Sequence, residues 1–364
     1  MTMGRVPIAE PQIGREERER VAAVLESGML ADGPAVRAFE REFAAFCDAA
    51  HGVATSNGTT ALHAALRALD VGEGSRVLTT PFSFVATANA ARLVGARVGF
   101  VDIDPETYTI DPEALEACLR AGEEVTAVVA VHLYGLPAEM PRLLELAERY
   151  DFALVEDAAQ AHGATVDGDP VGALGDVGCF SFYPTKNMTT GEGGMITTDR
   201  DDVAERAAAF VDHGRTSGYE HATVGHNFRM TSIAAAIGRV QLERLPGYTE
   251  ARRRNAAVLT EALAGGPLDT PTVPAGRGHV FHQYTVRCDD RDALARFLDD
   301  RDIDARVYYP IPIHHQRPYR HVAASVPHAD RAAETVLSLP VHPGVSTDTA
   351  TRIAATVRAF VDAG

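Results

Sequence analysis

The chain has 364 residues, of which 46% are hydrophobic and none is tryptophan, and it carries a formal charge of −16. Such a length buries a sizeable core, as one large domain or a large one with a small one. The charge argues against nucleic acid and anionic membranes as partners. No run approaches the roughly 18–20 apolar residues of a membrane span, and the opening MTMGRVPIAEPQIGREERER lacks a signal-peptide core. The four cysteines (Cys47, Cys118, Cys179, Cys288) form no CxxC pair and fit a reducing cytoplasm. Lysine and arginine total 34, yet only Lys186 is lysine. Acidic, arginine-over-lysine composition fits a GC-rich genome or adaptation to high salt, with acids along REERER and DRDALARFLDDRD reading as solvated faces.

In chain order, SNGTTALHAALRAL (56–69) places Leu62, Ala65, Leu66 and Leu69 on one helical face. RVLTT (76–80), RVGFVDI (97–103), VTAVVAVHLYG (125–135) and FALVEDAAQ (152–160) read as strands. Between them lie the helical runs SFVATANAARLVGA (83–96), DPEALEACLRAG (111–122) and PAEMPRLLELAERY (137–150). This alternation predicts an α/β fold, a mainly parallel sheet covered by helices on both faces. CFSFY (179–183) and MITT (195–198) read as two further short strands. After LERLPGYTE the pattern changes to a helix (251–265), a Pro/Gly-rich stretch, a strand (HVFHQYTVR), a helix (DALARFLDDR) and a strand (DARVYYP). The expected division is 1–248 as a large domain with its N-terminal segment and 249–364 as a smaller α+β domain.

Three features carry chemistry. Ser56-Asn57-Gly58-Thr59-Thr60 opens a helix, where free N–H groups and hydroxyls hold a phosphate; the same residues also suit a plain N-cap. Glu156-Asp157 ends a buried strand, and in open α/β sheets ligands bind beyond the carboxyl ends of strands. A carboxylate there can hold a protonated ring nitrogen or simply cap a helix. Lys186 lies between the CFSFY and MITT strands, ahead of Gly191, Gly193 and Gly194. Arginine replaces lysine in surface ion pairs but cannot lose its proton and form a Schiff base. A phosphate cradle, a carboxylate for a ring nitrogen and one lysine together are what pyridoxal 5′-phosphate requires.

The stretches SGMLADGPAVRAFEREFA, SNGTTALHAAL, PFSFVATANA, VHLYGLPAEM, EDAAQAHGA, SFYPTKNMTTGEGG, HNFRM and YYPIPIHHQ resemble, over nearly the whole chain, the DegT/StrS nucleotide-sugar aminotransferases of the aspartate aminotransferase fold (fold type I, a seven-stranded-type sheet). The resemblance implies that Lys186 is the Schiff-base lysine and that Asp157 pairs with the pyridine nitrogen. Gln160 would contact the ring 3-oxygen, Phe84 would lie against the ring face, and Gly58, Thr59 and Ser181 would hold the phosphate. Asn227 would reach the cofactor phosphate of a neighbouring subunit, making the unit a homodimer with shared sites. Arg229, Tyr309 and His314 would meet the substrates, although an ion pair within the fold explains Arg229 equally well.

The implied reaction converts a nucleotide-linked keto-sugar to an amino-sugar with L-glutamate as donor, in polysaccharide or other amino-sugar biosynthesis. TTGEGG resembles members that aminate C4 rather than C3. The alternatives are the same chemistry on a keto-cyclitol or aminobenzoate precursor, or a non-catalytic regulator built on this scaffold. No metal is expected: His314 and His315 are adjacent in an extended stretch, where side chains point opposite ways, with no HExxH spacing nearby. The absence of GxGxxG after a strand and of GxxxxGK[ST] removes nicotinamide-dehydrogenase and P-loop readings. His162 lies beside the proposed site, and GDPVGALGDVG (168–178) reads as a loop leading to the strand with Ser181.

Overall fold

A computed structural model of the chain describes residues 4–122 and 124–362. The outer ends of the two expected domains, and residue 123, lie outside the described residues. A seven-stranded sheet forms the centre, in the order His51–Thr55, Gly194–Thr198, Val177–Ser181, Ala153–Asp157, Ala127–Val131, Arg76–Thr79, Arg97–Phe100. Gly194–Thr198 pairs antiparallel with both neighbours, and every other pairing is parallel. This is the α/β architecture expected from the alternation of apolar runs. Ala127–Val131 (AVVAV) is buried along its whole length, as a strand covered on both faces must be.

One apolar cluster fills one side of the sheet, with Leu62, Leu66, Val77, Val129 and Val155, and a second fills the other, with Phe39, Phe43, Leu78, Val128 and Phe180. Alternation along each strand sends neighbours to opposite sides, so Val128 and Val129 fall in different clusters. A third cluster, around Leu259, Tyr284, Leu298, Leu337 and Ile353, belongs to the C-terminal region. There Tyr284–Arg287 pairs antiparallel with Val336–Leu339, packed by the helices Arg291–Asp299 and Thr347–Val361.

The expected pattern change after LERLPGYTE falls inside a helix. Ser232–Leu263 is one helix of 32 residues with Pro246 inside it, so residue 248 lies mid-helix. Pro246 and Gly247 are exposed while Leu245, Thr249 and Arg252 are buried. The lost hydrogen bond therefore falls on the solvent side, and packing holds the two halves in line. At the other end of the chain, Val6 joins the C-terminal cluster and bridges to Ile303. DARVYYP is likewise not a strand. Only Arg306 bridges to Ser338, because Pro310 and Pro312 interrupt any ladder and the intervening tyrosines turn to the sheet edge described next.

Candidate active site

Thr55, Asp157 and Ser181 are the last residues of three mutually parallel strands, so all three lie at one edge of the sheet. After Thr55 the chain enters the helix Gly58–Ala68. Asn57 caps it, its side chain accepting the Thr60 N–H at 2.9 Å while the Thr60 hydroxyl accepts the Asn57 N–H at 3.1 Å. The cap leaves the other first-turn N–H groups pointing to the edge where Ser181 sits. The fit is close: a Cβ on Gly58 would stand 2.7 Å from the Ser181 Cβ, and one on Gly194 would stand 2.5 Å from the Asn57 carbonyl oxygen. The cluster TTGEGG thus permits a backbone contact that forms the cradle's wall. Its other turns are held by Thr189, whose hydroxyl donates to the Phe182 carbonyl at 2.8 Å and accepts the Gly191 N–H at 3.0 Å.

Lys186 follows this strand in a tight turn, its N–H donating to the Tyr183 carbonyl at 2.8 Å. Burial of the ammonium pulls its pKa down to about 8, against the opposing charge of Asp157. Asp157 is buried; burial raises its pKa, while the Thr87 hydrogen bond and then the charge of Lys186 pull it back. Thr87 Oγ1 donates to Asp157 Oδ2 at 2.7 Å, and the Ala159 N–H reaches Oδ1 at 3.3 Å. Gln160 is fixed from two sides: its Oε1 accepts the Tyr134 N–H at 2.7 Å and its Nε2 donates to the Tyr309 hydroxyl at 3.1 Å. The Tyr134 hydroxyl donates to the Tyr308 carbonyl, so two contacts tie YYPIPIHHQ to this edge. Phe84 lies 6.1 Å, centroid to centroid, from Tyr309 and is 56% exposed. A phenyl ring left this uncovered can receive another ring against its face.

The site residues read from the sequence fall into four groups. Gly58 and Ser181 meet at the helix end, with Thr59 in the same first turn; Gln160 is hydrogen-bonded to Tyr309, whose ring lies near Phe84, and Asp157 is coupled by charge to Lys186 and Tyr309. Asn227 and Arg229 flank Phe228, whose carbonyl accepts the Ser56 N–H at 2.7 Å. Asn227 is exposed, and Arg229 is ion-paired with Asp212 on the wall of a cavity of about 560 Å³ also lined by Asp32, Arg37 and Glu40. His314 is in hydrogen-bond range of Asp330 at 3.1 Å. His315 reaches the same oxygen at 2.9 Å. The two imidazoles do not diverge as in extended chain, because Ile313–His315 is a single 3-10 turn.

Sequence reading missed Thr87, Tyr134 and the partners of Glu156. Glu156 faces the opposite side of the strand from Asp157 and accepts from His132 Nε2 at 3.0 Å and from the N–H groups of Gly172, Leu174 and Gly175 at 2.9 Å each. GDPVGALGDVG is therefore wrapped around a buried carboxylate. His162 is fully buried among Phe43, Phe180 and Phe182. Burial pushes its pKa down to about 3, so it packs there as a neutral ring.

Residues 11–358 match the DegT/DnrJ/EryC1/StrS aminotransferase family. The chain belongs to that family. It is 40% identical over 340 residues to a UDP-N-acetyl-3-dehydro-alpha-D-glucosamine 3-aminotransferase of Acidithiobacillus ferrooxidans, covering 93% of this chain and 92% of that one. With a dTDP-3-amino-3,4,6-trideoxy-alpha-D-glucose transaminase of Streptomyces venezuelae the identity is 37% over 368 residues, covering 98% and 97%. The crystal structure of S. venezuelae DesV superposes with a TM-score of 0.95 at 36% identity, covering 99% of both chains. The protein is a pyridoxal-phosphate-dependent sugar aminotransferase. The residues present fit that cofactor: a helix-end cradle too tight for a Cβ at Gly58, a buried carboxylate with accepting capacity left, an uncovered phenyl ring and a desolvated lysine. Among the described residues no helix is long and apolar enough to cross a membrane.

Proposed function

We propose that this aminotransferase converts a nucleoside-diphosphate keto-sugar to the amino-sugar with L-glutamate as donor, Lys186 carrying the cofactor. The observation that carries the reading is the convergence of the only lysine, Asp157 and the Gly58–Ser181 cradle on one sheet edge. When bound, pyridoxal phosphate supplies an electron sink for the carbon losing its proton. Asp157 holds the ring nitrogen's positive charge, Gln160 meets the 3-oxygen, Phe84 covers one face, and Gly58, Thr59 and Ser181 hold the phosphate. Lys186, with its pKa near 8, has a substantial neutral fraction close to neutral pH. It takes the proton from the α-carbon of L-glutamate as general base and, in the return half-reaction, delivers one to the sugar carbon that receives nitrogen.

Tyr309 and His314, brought in by YYPIPIHHQ, and Arg229 form the proposed substrate side. Asn227 serves the site of a second copy in a homodimer. Its exposure, with Tyr219 at 99% and Val224 at 89% exposed in the same segment, supports a partner subunit there. The chain is read as two units, 1–248 as the large cofactor-binding domain and 249–364 as a smaller α+β domain, working in the cytoplasm. Amination at C4, expected from TTGEGG, competes with C3, the position in the name of the relative at 40% identity. A panel of UDP-, GDP- and dTDP-linked 3-keto and 4-keto sugars with L-glutamate tests the reading. Turnover of one class fixes the position; turnover of none, with a keto-cyclitol accepted instead, replaces the substrate and leaves the chemistry.

A further inference from the structure

The segment that supplies Phe84 also supplies two buried hydroxyls. Ser83 Oγ and Thr87 Oγ1 are 3.0 Å apart, and Thr87 Oγ1 is 2.7 Å from Asp157 Oδ2. All three residues are buried, at 4%, 1% and 6% exposure. Counting protons fixes the direction. An ionised carboxylate only accepts, so the single Thr87 proton goes to Asp157, and Ser83 must donate to Thr87. The result is a polarised chain, Ser83 to Thr87 to Asp157, ending on a charged acceptor, where hydrogen bonds are shorter and stronger than between neutral groups. It engages Oδ2 firmly and leaves Oδ1, reached only by the 3.3 Å Ala159 N–H, as the less engaged oxygen.

We propose that Ser83 and Thr87 form a hydroxyl relay that keeps Asp157 ionised and oriented for the cofactor's ring nitrogen, which makes Thr87 a positioning residue of this aminotransferase. The proposal rests on the Asp157 role given above. A buried carboxylate is costly to keep charged. The charged and titratable groups whose fields reach it are Lys186, His132 through the strand, the Cys179 thiol and the Tyr309 hydroxyl. Of these the Lys186 charge is lost whenever that amine is neutral. The Thr87 donor remains through the whole reaction cycle, so the relay holds the proton on the ring nitrogen rather than on the carboxylate.

The test is the ¹⁵N resonance of ring-labelled pyridoxal phosphate bound to the holoenzyme, for wild type, Thr87→Val, Thr87→Ser and Ser83→Ala. In wild type the resonance lies on the protonated-ring side. Thr87→Val removes a hydrogen bond to a charged group and moves the proton equilibrium toward Asp157 by about tenfold, displacing the resonance to the neutral-ring side. It also lowers kcat with little change in KM. Thr87→Ser restores both, and Ser83→Ala gives a smaller displacement of the same sign. A Thr87→Val resonance identical to wild type, with only a lower Tm, overturns the relay. A wild-type resonance already on the neutral side overturns the Asp157 assignment itself, and the relay with it.

Discussion

Glu156 and Asp157 are consecutive carboxylates on one strand, and they do opposite things. Glu156 is saturated by four donors, three from one loop and one from His132. Asp157 has one strong donor and one weak one. The period-2 alternation of a strand sends them to opposite faces, where one is enclosed by its own loop and the other keeps an oxygen reached only by a weak donor. A fully satisfied buried charge stabilises a fold and has nothing left for a ligand. An under-satisfied one is tolerated only where a ligand or a nearby cation completes it. Counting donors on each separates the two carboxylates, which burial alone does not.

The largest expected effect is at the lysine. Lys186→Arg keeps the charge but not a group that can lose its proton, so transamination falls by about 10³-fold or more with unchanged circular dichroism. Retained turnover breaks the assignment. Next come the two carboxylates as a matched pair. Asp157→Asn lowers kcat by about 10²-fold with little change in Tm. Glu156→Gln leaves kcat per folded molecule near wild type and costs about 3 kcal/mol of stability by denaturant titration. If both variants behave alike, the contrast drawn between them is wrong.

A third measurement concerns pH. A lysine at about 8 in the folded protein, below its unfolded value, disfavours the folded apoprotein while it is charged. Stability from this group is lowest below pH 8 and rises as pH increases toward the unfolded pKa. Only the neutral amine attacks the cofactor aldehyde. The rate of cofactor incorporation into apoprotein therefore rises with pH to a plateau with a midpoint near 8, and a midpoint near 10.5 denies the desolvation. The smallest effect is at Phe84. Its replacement by Leu weakens cofactor affinity by about three- to tenfold, read by equilibrium dialysis, and an unchanged affinity removes the ring-stacking role.

The sheet edge was legible because it follows from chain order alone. VEDAAQ ends a buried apolar run, TSNG precedes a helical periodicity, and parallel strands share one carboxyl edge. The single lysine stood out against its arginine background. Thr87 was not legible, since its hydroxyl meets a carboxylate 70 residues away, and only tertiary packing chooses that partner over its own helix. The same holds for His132 and Glu156, 24 residues apart. Two local readings failed for opposite reasons. The pattern change after LERLPGYTE suggested a helix beginning at 251, but packing on both sides of Pro246 carries one helix from Ser232 to Leu263, and DARVYYP suggested a strand whose tyrosines serve Gln160 and Tyr134 instead. The histidine pair was misread because a 3-10 turn cannot be told from extended chain by three residues.

The most direct test of the central claim is the visible absorption of the purified holoenzyme before and after excess L-glutamate, with 2-oxoglutarate measured in parallel. We expect a lysine-linked cofactor band that disappears on adding glutamate, with one 2-oxoglutarate released per chain, and no such band in Lys186→Arg. A band that persists in Lys186→Arg, or one that ignores glutamate and releases no 2-oxoglutarate, would contradict the account.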